Sequence, residues 1–433
     1  MKFRTLLATS CLAVIPSLAL AADQPNILLV IADDMALEAS SCYSLGDQQA
    51  PMPNVEAICR EGRVFTNAYS TPVCSPTRAT IMTGQYGLRT GVGAAIPPNG
   101  TNGLSAEAES LFDVLEESDY ATNLLGKWHL AGAGATLDHP AELGVSDYWG
   151  VFKGGVRDYF NWTAVTDGQE VRVEEYATTA ITDEALDWIA AQDSPWFLWL
   201  AYNAPHTPFH LPPQDLHGFG ALPTDADSIN ADPLPYYQAM LEALDTEIGR
   251  LLETMDPETR AETIVMFIGD NGSPNQVTRG FYGTHSAKGA IYEGGTHVPF
   301  VVTGPGIGSG TTDGFVQTTD FFATIAGFAG IEVDRPDSHD FRPLLTGEEG
   351  TRDYIYVEHF QEDRSDAKPS DVFGWALREG DYKLVAIEDT EFELYDLAAD
   401  PRELTDLLAD GISGDEAAIV ARLQTRAGEI RNQ

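Results

Sequence analysis

Asn26-Ile27-Leu28-Leu29-Val30-Ile31, running directly into Ala32-Asp33-Asp34, decides the fold of this chain. An uninterrupted apolar run of this length is the mark of a strand buried on both faces of a parallel sheet. The same grammar recurs three times. Thr122-Asn123-Leu124-Leu125 leads into Gly126-Lys127-Trp128-His129, and Trp196-Phe197-Leu198-Trp199-Leu200-Ala201-Tyr202 into Asn203-Ala204-Pro205-His206. Thr263-Ile264-Val265-Met266-Phe267-Ile268 leads into Gly269-Asp270-Asn271-Gly272. Residues 105–118, 175–191, 236–255 and 320–329 carry apolar positions at helical spacing. Strands alternating with helices predict an α/β sandwich with a mostly parallel central sheet. Ligands of such sheets sit at the carboxyl ends of the strands, so the four polar clusters converge on one edge.

From about residue 351 the pattern changes. Tyr354-Ile355-Tyr356-Val357-Glu358, Trp375-Ala376-Leu377-Arg378, Tyr382-Lys383-Leu384-Val385 and Glu393-Leu394-Tyr395-Asp396-Leu397 read as short strands, with Glu379-Gly380-Asp381 as a hairpin turn. They predict a small antiparallel α+β subdomain over residues 351–433, closed by a C-terminal helix and packed on a larger domain over 22–350. The stretch 204–235, rich in Pro, Asp and Gly, is expected to be a long loop at the rim of the site.

The chain carries 66 acidic against 25 basic residues, a net charge of −41. Such a field excludes nucleic acid and anionic membrane surfaces as partners. It also repels any polyanionic ligand unless cations are concentrated where that ligand binds. A solvated acidic surface suits a salty environment. Lys2 and Arg4, the apolar residues 6–20 and Ala19-Leu20-Ala21 read as a signal peptide over 1–21, cleaved to leave an exported, periplasmic or secreted product. Pro16 and two serines break the apolar run that a membrane anchor needs. Beyond Cys74, the exported chain keeps Cys42 and Cys59, either as a disulfide or as two separate thiols.

Asp33, Asp34, Asp270 and Asn271 bring hard oxygen donors to two strand ends, a set suited to Ca²⁺, Mg²⁺ or Mn²⁺ rather than zinc. Either pair alone would be a turn or a helix cap; together with the stretch Cys74-Ser75-Pro76-Thr77-Arg78 they read as metal ligands. Lys127 and His129, two apart on an extended segment, point to one side. Pro205 and Pro208 stiffen the loop around His206, and Lys288 precedes Gly289-Ala290-Ile291-Tyr292-Glu293-Gly294-Gly295. With Arg78 these residues supply cations suited to binding a tetrahedral oxyanion.

Cys74-Ser75-Pro76-Thr77-Arg78, continuing to Thr83-Gly84, resembles the signature of the type I sulfatases. The stretch from Asp119 to His129, the Lys288–Gly295 run and Leu394-Tyr395-Asp396-Leu397 are similar to further motifs of that family, so the resemblance spans nearly the whole exported chain. His297 departs from it, standing where relatives often carry arginine, and is expected to lie outside the direct contacts. The resemblance implies an alkaline-phosphatase-like α/β/α sandwich and one Ca²⁺ per chain, held by Asp33, Asp34, Asp270, Asn271 and the oxygen derived from Cys74, with Mg²⁺ or Mn²⁺ as alternatives. It implies that a maturation enzyme oxidises Cys74 to formylglycine, whose hydrate attacks sulfur. Arg78 and Lys127 then favour the ionised hydrate, Lys288 and His206 bind sulfate oxygens and one of them protonates the departing alcohol. His129 removes the proton whose loss expels sulfate.

The function this implies is hydrolysis of sulfuric esters, of the arylsulfatase or carbohydrate sulfatase kind. Phosphate or phosphonate ester hydrolysis at the same site, and sulfated-ligand binding by an unmodified Cys74, are the alternatives. For substrate contacts the sequence offers Trp149, Phe152, Tyr159, Phe160 and Trp162, with Lys153 and Arg157, and also His210, His217, His285 and the segment 361–373. Buried packing is the competing role for most of the aromatics.

Overall fold

The apolar runs do become buried strands. The structure is a computed structural model that describes residues 24–47, 49–100, 102–360, 372–388 and 390–433. The expected signal peptide, and most of the 361–373 segment, lie outside the described residues. The first sheet is built from β1 (Asn26–Ala32), β2 (Arg63–Tyr69), β3 (Ala121–Gly126), β4 (Trp149–Gly150), β5 (Trp162–Thr166), β6 (Gln169–Val173), β7 (Trp196–Ala201), β8 (Thr263–Gly269), β9 (Phe300–Thr303) and β10 (Gly310–Gln317). Their order across the sheet is β10-β2-β9-β8-β1-β7-β3-β4-β5-β6. The central pairs β8·β1, β1·β7 and β7·β3 are parallel, while β9 and the β5–β6 hairpin run antiparallel to their neighbours.

Alternation along β1 shows why both faces must be covered. Ile27, Leu29 and Ile31 enter one apolar cluster, together with Ala79 and Met82 of the helix Cys74–Thr83 and Phe321 and Ile325 of Asp320–Phe328. Leu28, Val30 and Ala32 enter the other, with the helices Ala177–Ala190 and Leu234–Thr254. The result is the expected three-layer sandwich. One expected helix contracts: of residues 105–118 only Leu111–Leu115 is helical. Ser110 and Asp113 close a reciprocal cap that fixes its start there.

The second sheet, β11 (Ile355–Phe360), β12 (Val372–Glu379), β13 (Tyr382–Ile387) and β14 (Glu391–Asp396), is antiparallel throughout. The helix Gly414–Arg431 covers it through Val420, Leu423, Ala427 and Ile430, while Tyr86 and Leu88 of the larger domain share the same cluster. Cys42 and Cys59 form a disulfide, with a Cα–Cα distance of 6.2 Å. The expected loop 204–235 carries one short helix, Ala226–Ala231.

Candidate active site

Register places the chemistry. Ala32 of β1 is level with Gly269 of β8, and Ala201 of β7 is level with both Ile31 and Gly126. The residues that follow, Asp33, Asp270 and Lys127, therefore emerge side by side at one sheet edge. Backbone bonds fix each exit: Asp270 N to Ala32 O at 3.1 Å, Lys127 N to Ala201 O at 2.8 Å, and Asp33 N to Ala204 O at 3.1 Å.

Cys74 opens the helix Cys74–Thr83 and is 2% exposed, so the positive end of that helix lies at its sulfur. The Thr77 hydroxyl, one turn on, donates to the Asp270 carbonyl at 2.7 Å and ties the helix to the carboxylate cluster. Facing Cys74 Sγ, at 3.1 Å, is His129 Nδ1. His129 Nε2 lies 2.9 Å from the Ile96 carbonyl, which can only accept, so the hydrogen-bond network assigns the proton to Nε2 and leaves Nδ1 as an acceptor. Burial first, then Lys127, pushes this imidazole well below its ordinary range, which keeps it neutral. The extended segment expected around His129 is not found. Its φ is +56°, a left-handed turn that swings the ring to Cys74 while Lys127 reaches Asp33.

Three buried carboxylates meet three cations. Lys127 Nζ lies 2.5 Å from Asp33 Oδ2, Lys288 Nζ 2.5 Å from Asp34 Oδ1, and Arg78 Nη2 3.0 Å from Asp270 Oδ2. Arg78 is wholly buried and gives a second donor to the Lys127 carbonyl at 2.7 Å, so it braces the cluster. Asn271 Nδ2 donates to Asp34 Oδ1 at 2.8 Å, and the Asp34 amide donates to Asp270 Oδ1 at 2.9 Å. Asp34 holds a φ of +73°, like His129 in the left-handed region that few non-glycine residues enter.

The donor set fits a hard divalent cation. Asp33 Oδ1 and Asn271 Oδ1 are buried with no hydrogen-bond partner. Burial, with Asp270 adding to it, pushes the Asp33 carboxyl well above the usual range despite Lys127. That is the signature of a cluster with too little positive charge to keep every carboxylate ionised. For Asp34, burial acts upward too, but Lys288 and then His206 outweigh it and hold the carboxyl low. Asp33, Asp34 and His206 each offer a donor atom within 4.8 Å of the others. His206 Nδ1 donates to Thr207 O at 2.7 Å, which turns Nε2 toward Asp34 Oδ2 at 3.8 Å. Burial lowers the His206 pKa to about 3.

All the expected residues, Asp33, Asp34, Cys74, Arg78, Lys127, His129, His206, Asp270, Asn271 and Lys288, thus lie in one connected cluster. The other histidines do not join it. His210 packs against Tyr159, Phe160 and Tyr176, His217 is buried on the Pro212 carbonyl, and His285 stacks on Tyr292. His297 bonds Glu293 and the Thr66 carbonyl and stacks on Tyr69, away from the carboxylates. Of the aromatic insert, Phe152, Tyr159 and Trp162 are buried, and Phe160 is 43% exposed. Sequence reasoning overlooked Tyr159 as a support: its hydroxyl lies 2.7 Å from both the Asn203 and His206 carbonyls. It also passed over Asn203, buried at the end of β7 with neither side-chain polar atom partnered.

Comparison with known proteins places these features. Residues 25–331 match the sulfatase family, and residues 280–433 match the family described as N-sulphoglucosamine sulphohydrolase, C-terminal. The chain is 27% identical to a sulfatase of Formosa agariphila, over 94% of this chain and 89% of that one. It is 26% identical to arylsulfatase A of Homo sapiens, over 92% and 86%. It is 24% identical to N-acetylglucosamine-6-O-sulfatase of Bacteroides thetaiotaomicron, over 89% and 82%. Among solved structures, Ps i-CgsB in complex with k-i-k-neocarrahexaose superposes with a TM-score of 0.77 at 24% identity, covering 94% of this chain and 93% of that one. BT4656 in complex with its substrate D-glucosamine-2-N,6-O-disulfate superposes at 0.76 with 21% identity, over 94% and 98%.

Proposed function

The chain belongs to the sulfatase family and hydrolyses sulfate esters, and from that premise we propose that its substrate is a sulfated carbohydrate and that Cys74, oxidised to formylglycine, carries the attacking oxygen. The observation that carries the nucleophile assignment is the 3.1 Å approach of the neutral His129 Nδ1 to the Cys74 side chain. The thiol there stands in for the oxygen of the matured residue. His129 is placed to take the proton from that oxygen and the Ile96 carbonyl keeps its tautomer fixed. Lys288, which burial opposes but Asp34 holds in its charged form, supplies the proton to the leaving alcohol and a charge for the sulfate oxygens. His206, neutral and anchored through Nδ1, shapes the other side of the sulfate pocket. Lys127 and Arg78 hold Asp33 and Asp270 in place.

Asp33, Asp34, Asp270 and Asn271 would hold the divalent cation, which we take to be calcium. When bound it supplies positive charge beside the nucleophile and the sulfate. Carbohydrate as the substrate class is supported by the sugar sulfatase named among the relatives. We further propose that the enzyme is exported and that residues 22–350 form the catalytic domain, with 351–433 as its subdomain. Export is supported by the Cys42–Cys59 disulfide, a bond of oxidising compartments.

The test joins mass and activity. The peptide containing Cys74 should be lighter by about 18 Da in matured protein. Sulfate release from a panel of sulfated sugars should stop on chelation, return with calcium, and be absent in Cys74→Ala. Undiminished turnover by Cys74→Ala would remove the assignment.

A further inference from the structure

A cavity of roughly 510 Å³ opens next to the site, in the size range of small-ligand pockets, about 300–1,000 Å³. Its floor is the segment 151–157, which carries the cavity to the catalytic groups. Phe152 O accepts from the His129 amide at 3.3 Å, a Cβ at Gly154 would lie 2.6 Å from His129 Nε2, and one at Gly155 would lie 3.3 Å from the His206 ring. One wall is the β5–β6 hairpin. Thr163 pairs with Arg172 and Val165 with Glu170, so the alternation of the strands turns these four side chains to the same face.

The charge of this cavity is out of keeping with the rest of the chain. Lys153, Arg157 and Arg172 all line it, against the single carboxylate of Glu170. Elsewhere in this acidic protein Arg78, Lys127, Arg352 and Lys383 are each neutralised by a carboxylate. Among the described residues no carboxylate forms an ion pair with Lys153, Arg157 or Arg172. Lys153 is spent on the Ala131 and Gly132 carbonyls, at 3.4 Å each, and its ammonium lies over the Phe152 ring. Arg157 and Arg172 are exposed, with every guanidinium donor free for a ligand.

We propose that this cavity is a subsite for a second anionic substituent, sulfate or carboxylate, on the carbohydrate whose sulfate ester is cleaved at Cys74. Guanidinium groups suit both anions because they present paired parallel donors. In a molecule of net charge −41, an unneutralised cationic patch beside the active site is also what lets a polyanion approach. The proposal rests on the reading of the enzyme as a carbohydrate sulfatase, and it names the class of carbohydrate: one with at least two anionic groups.

The experiment compares wild type with the double variant Arg157→Gln/Arg172→Gln on four substrates. These are 4-nitrophenyl sulfate, a disaccharide with one sulfate ester, the same disaccharide with a second sulfate, and the same disaccharide with a carboxylate. For the two dianionic sugars the variant should raise KM by about tenfold or more, and the salt dependence of kcat/KM should weaken. For the two monoanionic substrates KM and kcat should stay within about twofold. The larger loss identifies whether sulfate or carboxylate is the preferred anion. Equal losses on all four substrates, or none on the dianionic sugars, overturn the proposal. A wild-type enzyme inactive on every sulfate ester would overturn the hydrolase reading instead. Calorimetric binding of the disulfated disaccharide to Cys74→Ala protein then reads the cavity by itself. Unchanged affinity on adding the two arginine substitutions overturns the subsite, and a loss of about tenfold supports it.

Discussion

Gly154 has no room for a methyl group, and that absence holds His129 in place. The imidazole is pinned between Cys74 and the Ile96 carbonyl, while a Cβ on residue 154 would press on it from 2.6 Å. The ring is buried and cannot retreat, so Gly154→Ala must turn it away from residue 74. We expect kcat to fall by about 10²-fold with little change in melting temperature. Gly155→Ala is the comparison: its Cβ would meet the His206 ring at 3.3 Å, and that side chain is 20% exposed and can shift. It should lose less than about tenfold. Steady-state kinetics on the two variants decide it, and equal losses would remove the steric explanation. Neither glycine can be singled out in the sequence. Asp33, Asp34, Asp270 and Asn271 were legible because each follows an apolar strand. The partners of His129 were not, because its left-handed φ and the carbonyl of Ile96 arise only once distant segments are packed together.

Elements show the same division between what a pattern reveals and what packing adds. The four buried strands could be read from composition alone, since a run such as β7 with every residue buried has no other use for six apolar side chains. The helix expected over 105–118 shrank because a local cap outweighed periodicity. The cap of the helix Pro53–Glu61 was invisible for the opposite reason. Its N-terminal residue Met52 offers no oxygen, and the bonds come from Asp245 on the helix Leu234–Thr254. Asp245 accepts from Asn54 N at 3.1 Å and Val55 N at 2.7 Å, across 191 and 190 residues of chain. Asp245→Ala leaves both amides without that partner and should cost about 2–3 kcal/mol. Since neither helix supplies a catalytic side chain, kcat should stay within about twofold. Urea denaturation beside a kinetic assay checks both halves. A stability change below about 0.5 kcal/mol would show that water replaces the cap.

At the scale of the whole molecule, the two sheets are joined by buried charge as well as by apolar contact. Lys383 of β13 sits 2.9 Å from Glu293 and 3.0 Å from Glu403, all three nearly without exposure. Glu293 lies five residues beyond Lys288, so the subdomain anchors the loop that carries Lys288, the residue proposed to protonate the leaving alcohol. Lys383→Met would leave Glu403 without its cation and Glu293 with His297 and the Tyr69 hydroxyl as remaining partners, and should cost about 3–5 kcal/mol. It should also lower kcat by clearly more than the roughly twofold allowed for Asp245→Ala, and equal kcat in the two variants would show that Lys383 stabilises without positioning the loop.

Glu358 of β11 ties the second sheet to the short helix Gly87–Thr90 of the larger domain, accepting from Leu88 N at 2.7 Å, and also accepts from the Tyr356 hydroxyl of its own strand at 3.1 Å. Burial raises its pKa to about 7, and burial likewise raises that of Glu403. A carboxyl that binds its proton more tightly folded than unfolded makes the folded state the more protonated one between the two pKa values. The Glu358 contribution to stability therefore falls by about 3 kcal/mol as pH rises from about 4.5 to about 7, whereas His129 and His206, buried in the neutral form, shift stability the other way below about pH 6.5. The acidic surface predicts a fall of the same sign, because deprotonation adds to self-repulsion in a chain of net charge −41. Salt separates the two causes: at 1 M the Debye length is about 3 Å, which screens surface charge but leaves a buried carboxyl untouched. Urea unfolding of wild type and Glu358→Gln at pH 5 and pH 7.5, both in 1 M salt, therefore isolates the Glu358 share, because the histidines are common to both proteins. Glu358→Gln, which keeps the acceptor for Leu88 and has no proton to lose, should gain about 2–3 kcal/mol relative to wild type on going from pH 5 to pH 7.5. If the gap between variant and wild type is the same at both pH values, this junction is insensitive to pH.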